Sequence, residues 1–168
     1  MENKEYKKPD DIVKSIEFFS YGRLPEGYTK EELLKLEQVD VSDKQDKSIL
    51  ALHDGIGNVF IYSEGLIFFN IQSNDMFYNF TKVENIEFRL IDTSNVTSMS
   101  MMFDICSNLK KLDLSIFDTS KVIAMNKMFG YNTNLTLIEV SDSWIIGENT
   151  DTTNMFNSCG TNTVTLKQ

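Results

Sequence analysis

The stretch Asp92-Thr93-Ser94-Asn95-Val96-Thr97-Ser98-Met99-Ser100-Met101-Met102-Phe103 decides the fold, because it returns. Asp118-Thr119-Ser120 reopens it, and Met128-Phe129 closes it again 26 residues after Met102-Phe103. The same Met-Phe pair stands at Met76-Phe77 and at Met155-Phe156, so the steps between the phenylalanines are 26, 26 and 27. A second motif keeps the same time. Apolar-x-apolar triplets stand at Ile86-Glu87-Phe88, Leu112-Asp113-Leu114, Ile138-Glu139-Val140 and Val164-Thr165-Leu166, with steps of 26 throughout. Two motifs in one register mark an internal repeat of four units.

Each triplet alternates apolar and polar residues, the pattern of a short strand with one buried face. Val96, Met99 and Phe103 fall at i, i+3, i+7, and Val122, Met125 and Phe129 repeat them, which predicts a short helix or helical turn in each unit. The expectation is an α/β solenoid with one strand and one short helix per unit, the strands forming a parallel β-ladder and the Met-Phe pairs its interior.

Outward from the repeat, the chain divides into a charged segment at 1–47, a β-meander cap at 48–69 and the repeats at 70–168. In the first, Pro9-Asp10-Asp11 ahead of Ile12, Ile16 and Phe19 predicts a helix, although Ile16, Phe18 and Phe19 also suit a strand. Thr29 and Glu32 form a capping box before Leu33, Leu34 and Leu36, so this segment is expected to be helical. Residues 38–47 read as a polar linker. Three short apolar runs, Ile49 to His53, Val59 to Tyr62 and Leu66 to Phe69, are broken by Asp54-Gly55-Ile56-Gly57 and Ser63-Glu64-Gly65 and predict the meander.

The stretch from Asp92 to Phe103, followed by Cys106-Ser107-Asn108-Leu109 and Leu112-Asp113-Leu114-Ser115, resembles the BspA-like bacterial surface leucine-rich-repeat family over about residues 70–168. The resemblance implies a leucine-rich-repeat fold, adhesion or other protein binding, and no enzymatic activity.

The 168 residues carry a net charge of −9, which argues against direct nucleic-acid binding and suits a basic protein partner. No apolar run reaches the length of a membrane span. The chain as given has neither a signal peptide nor an anchor motif, which predicts the cytoplasm; a fragment of a longer family member would belong to the cell surface. His53 is the one histidine and has no nucleophile or acid at a recognised spacing, so no catalytic residue, cofactor or metal is expected. Cys106 and Cys159 hold equivalent places two ladder steps apart, about 9–10 Å, too far for a disulfide, and read as buried free thiols.

If the apolar members of each triplet point inward, the middle residues Glu87, Asp113 and Glu139 form an outward column, flanked by Arg89 and Lys111. These five are the candidate partner-binding residues. Two functions compete. One is a non-enzymatic protein-interaction module using this sheet face or the N-terminal segment. The other is a small acidic intracellular inhibitor occluding a basic nucleic-acid-processing protein, a CRISPR nuclease for example. The polar fourth unit reads as a terminal unit facing water, and the chain is expected to be monomeric with weak tail-to-tail contacts.

Overall fold

The computed structural model describes residues 13–20, 22–41 and 49–168. These hold ten strands: β1 Ser15–Phe19, β2 Glu37–Asp40, β3 Leu50–His53, β4 Asn58–Tyr62, β5 Ile67–Phe68, β6 Asn85–Glu87, β7 Ile91–Asp92, β8 Lys111–Asp113, β9 Leu137–Val140 and β10 Thr165–Leu166. Among the described residues the one helix is α1, Lys30–Leu34, with Thr29 capping it and Glu32 closing the box.

The expected α/β class, the strand-and-helix solenoid and the helical N-terminal segment are therefore all corrected. The protein is mostly sheet, and its largest sheet is mixed, in the order β2-β3-β4-β1-β6. Residues 15–19, expected in a helix, form β1 and lie parallel to β4 on one side and β6 on the other. The apolar spacing of Ile16, Phe18 and Phe19 serves both periods, and the empty slot beside β6 selects the strand. Residues 1–12, with the predicted helix start, lie outside the described residues, as do 42–47 of the predicted linker. Residues 38–40, also read as linker, fall in β2, which pairs antiparallel with β3. The meander is thus β2-β3-β4, while β5 leaves it to pair in parallel with β7.

The triplet strands of units two to four form a parallel sheet, β8-β9-β10, in the register the repeat predicts: Leu112 opposite Ile138, and Glu139 opposite Thr165. The first triplet strand, β6, belongs to the larger sheet instead. A second line of parallel bridges runs Gln72, Ser98, Ala124, Asp151.

The predicted unit helices are replaced by successive tight turns. Met99, Met101, Phe103 and Ile105 donate their amides to Ala124, Asn126, Met128 and Gly130 of the next unit, at 2.9–3.0 Å, rather than back along a helix. Ser73, Asp75, Phe77 and Asn79 do the same to unit two, and Met125, Lys127, Phe129 and Tyr131 to unit four. The intervening amides close turns, as Met102 does to Met99 and Asp104 to Met101. This zigzag requires left-handed backbone twice per unit. Asp75, Met101, Lys127 and Asn154 have φ of 54–58°, and Asn79, Ile105, Tyr131 and Ser158 have φ of 54–63°. Such backbone costs about 1–2 kcal/mol per non-glycine residue, which the inter-unit bonds must offset.

The apolar stripe is still buried, by a different route. Val96, Met99, Met102 and Phe103 are fully enclosed, as are Met125, Met128 and Phe129 apart from a trace at Val122. Phe77, Phe103, Phe129 and Phe156 stack face to face along the core, with centroid separations of 5.3, 5.9 and 5.5 Å. A separate small core of Phe19, Leu33, Leu52, Phe60 and Tyr62 holds α1 against the N-terminal sheet.

Candidate functional site

The triplet strands expose their middle residues because Ile86, Leu112 and Ile138 fill the core on the other face. The five residues expected to bind a partner, Glu87, Arg89, Lys111, Asp113 and Glu139, all line one groove of about 490 Å³ on this face. Register places Asp113 beside Glu139, and Glu17 of β1 beside Glu87. The column therefore gains a carboxylate from outside the repeat. Arg23, from the loop before α1, lines the same groove and continues into a smaller hollow with Phe88, Leu90 and Ile116. Glu17 is hidden by the helical reading of its segment, and the alternative strand reading of Ile16, Phe18 and Phe19 is the signal that places it; nothing in the sequence around Arg23 marks it for the groove.

The face is charge-paired rather than simply acidic. Arg89 donates from Nε to Glu87 Oε1 at 2.8 Å and places Nη2 3.4 Å from Glu17 Oε1. It thereby ties the N-terminal sheet to the first unit. Burial pushes the Glu17 carboxyl above its ordinary range, and the Glu87 charge adds to this, while Arg89 and Arg23 pull the other way. Glu17 Oε1 takes no hydrogen bond, so its contact with Arg89 is charge attraction alone. Burial also raises the Asp113 carboxyl, but hydrogen bonds from Lys167 and Ser115 with the Lys167 charge outweigh it, and Asp113 lies below the usual carboxylate range. Lys167 reaches Asp113 across β9, and Glu139 lies under that span. Glu139 and Lys111 take no ion pair among the described residues.

Other chemistry-bearing side chains lie apart from the groove. His53 sits on the outer face of β3, its Nε2 3.3 Å from Glu37 Oε2, with both side chains well exposed. Cys106 and Cys159 are free thiols; Cys106 is fully buried and donates to Phe77 O at 2.9 Å, and burial pushes its pKa up to about 12, so the thiolate is not populated at neutral pH. Cys159 packs against the core but is only half-buried, which corrects the expectation of a buried thiol there. Among the described residues no group of three or more His, Cys, Asp or Glu side chains is placed to hold a metal ion, and no helix is long and apolar enough to cross a membrane. An apolar cavity of about 570 Å³ lies between the N-terminal sheet and the first unit, walled by residues such as Ile16, Phe18, Ile61 and Phe77, with no titratable side chain among its described lining.

Residues 71–167 match the family model described as Mycoplasma protein of unknown function, DUF285, and the chain belongs to that family. The match begins and ends with the repeat units. No curated protein and no solved structure matches the chain.

Proposed function

We propose that the protein is a non-enzymatic interaction module that holds a protein partner in the groove on its triplet-strand face, and that its repeats are of the BspA-like surface type. One observation carries the reading: side chains from β1, β6, β8, β9 and the chain just beyond β10 converge on this face, with opposite charges held at fixed spacing. Preset charges of both signs suit recognition, because they fix register and penalise wrong partners more than they add affinity. Glu139 and Lys111 are the groups open to a partner; Arg89 and Lys167 are already engaged. The partner that fits is a protein segment carrying a basic and an acidic residue a few ångströms apart. A polybasic partner fits less well, since only one of the three repeat carboxylates lacks a cation. Family membership supports a bacterial source, and the repeat type supports presentation at the cell surface.

The test compares a captured partner's affinity for the wild type and for Glu139→Lys with Lys111→Glu. Binding through the groove predicts at least a tenfold loss with an unchanged melting temperature. Full affinity in the folded double variant would remove the groove as the site.

A further inference from the structure

The hollow that opens off the groove has the size of one residue rather than of a length of chain. It measures about 250 Å³, and Arg23, Phe88, Arg89 and Ile116 line both it and the groove. Ser20 and Leu90 complete its walls. A drug-sized ligand wants about 300–1,000 Å³.

The fold does not demand the apolar part of this wall. Leu90 and Ile116 hold the same place in successive units, two residues beyond Phe88 and Leu114. Strand alternation would turn them into the core, yet Leu90 is 37% and Ile116 46% exposed. Unit three carries an exposed Asp142 at this place, so the turn accepts a charged residue there. Leu90 also stands in left-handed backbone, with φ of 54°, which a leucine disfavours. Strained backbone that burial does not offset collects at binding sites.

The hollow also holds an unmatched charge. Arg23 N donates to Ser20 O at 2.9 Å and forms a bridge with it, which fixes the residue just beyond β1. The exposed Arg23 guanidinium makes no ion pair or hydrogen bond among the described residues and acts on Glu17 only at a distance. Arg89, by contrast, is engaged by Glu87 and Glu17. Arg23 is therefore a further group open to a partner, beside apolar surface that is open as well.

We propose that the hollow captures the C-terminal residue of a protein partner, an apolar one such as leucine, with its side chain on Leu90 and Ile116 and its free carboxylate accepting from Arg23. This rests on the reading that the face binds a protein segment, and it adds which residue of that segment is anchored. A guanidinium presents its donors as a planar fork that matches a carboxylate. Size decides between a terminal carboxylate and an acidic side chain. Neighbouring residues of an extended segment point to opposite faces, and the next on the same face lies about 6.4–6.8 Å along. A hollow this small receives the apolar and the charged group together when one residue carries both.

The probes are N-acetyl-leucine, which has both groups, N-acetyl-leucinamide, which lacks the charge, and N-acetyl-aspartyl-leucinamide, which moves the charge to a side chain. Binding to the full chain is read from the NMR methyl shifts of Leu90 and Ile116. N-acetyl-leucine should give saturable shifts and bind at least fivefold more tightly than either amide. Arg23→Gln should erase that preference. Ile116→Asp, which copies Asp142 of unit three, should weaken N-acetyl-leucine at least fivefold as read at Leu90. Melting temperatures report whether the variants fold; should Ile116→Asp unfold, Arg23→Gln decides alone. No saturable shift, affinity for either amide equal to that for N-acetyl-leucine, or an undiminished preference in folded Arg23→Gln would each overturn the proposal. The groove has its own readout. A partner that loses affinity in the Glu139→Lys, Lys111→Glu variant while N-acetyl-leucine leaves Leu90 and Ile116 unmoved removes the hollow and keeps the groove; saturable shifts at the hollow with partner affinity intact do the reverse.

Discussion

The N-terminal sheet and the repeat stack reach similar burial by opposite means. In the stack each strand and turn pairs with its own counterpart 26 or 27 residues away, so one unit's environment is the next unit's environment. In the N-terminal sheet β1 lies between β4 and β6, partners 43 and 70 residues distant; its Ile16-Glu17-Phe18 matches the Ile86-Glu87-Phe88 triplet it lies beside, but at a spacing that no whole number of 26-residue steps reaches. Periodicity thus carries pairing information in one half, whereas in the other a matching triplet stands off the period and chain topology brings it into place. The two halves meet at Arg89, which holds carboxylates from both.

The largest contrast should come from aromatic truncation. Phe129 lies between Phe103 and Phe156, fully enclosed, and Phe129→Ala should cost about 3–5 kcal/mol of a stability of about 5–15 kcal/mol. Phe19→Ala, in the separate small core, should cost a comparable amount but leave the stack amides of units two and three protected. Equal loss of protection at Phe103 and Leu52 in both variants would show one cooperative core rather than two.

A smaller effect is expected where the halves join. Arg89→Ala leaves Glu17 and Glu87 side by side without their cation and should destabilise by about 1–3 kcal/mol at neutral pH. The Glu17 carboxyl is already raised, so its charged form opposes folding, and this cost disappears as the pH falls through its raised pKa. The deficit of the variant relative to wild type should therefore shrink on acidification, as read by urea unfolding at a series of pH values. A deficit that grows would contradict the assignment. Asp113, held low by Lys167 and Ser115, runs the other way: its contribution is present above the ordinary aspartate range and is lost as the pH falls through its lowered pKa.

The equivalence of units permits a milder substitution. Asn132 and Cys106 hold the same place and both donate to a phenylalanine carbonyl of the preceding unit, Asn132 Nδ2 to Phe103 O and Cys106 Sγ to Phe77 O. Asn132 also buries an Oδ1 without a partner. Asn132→Cys keeps the donor and removes the orphan, so it should change stability by less than about 1 kcal/mol, while Asn132→Ala should cost more than Asn132→Cys by about 0.5–1.5 kcal/mol. The smallest effect belongs to Lys167→Ala, an exposed ion pair, which should leave the thermal melt essentially unchanged.

The repeat was legible because Met-Phe and the triplets keep two registers at once, and that sufficed to bring Glu87, Arg89, Lys111, Asp113 and Glu139 to one face. The unit turns were not legible as turns. Val96, Met99 and Phe103 have a helical spacing, and the left-handed backbone at Met101 and Ile105, where no glycine stands, leaves no mark in the residue types. β1 was obscured for another reason: Ile16, Phe18 and Phe19 are compatible with both periods, and the choice rests on β4 and β6. Arg89 and Lys167 were legible as neighbours of the carboxylates but not as their ion-pair partners, because that depends on side-chain reach across strands.

Amide hydrogen exchange on the free protein tests the stacked-turn account most directly. The account predicts strong protection at Met99, Met101, Phe103, Ile105, Met125, Lys127, Phe129 and Tyr131, and rapid exchange at Thr152, Asn154, Phe156 and Ser158. Helical units would instead bond within each unit, so Phe156 would be protected as strongly as Phe103 and Phe129. Protection of Thr152, Asn154, Phe156 and Ser158 equal to that of the earlier units would contradict the account.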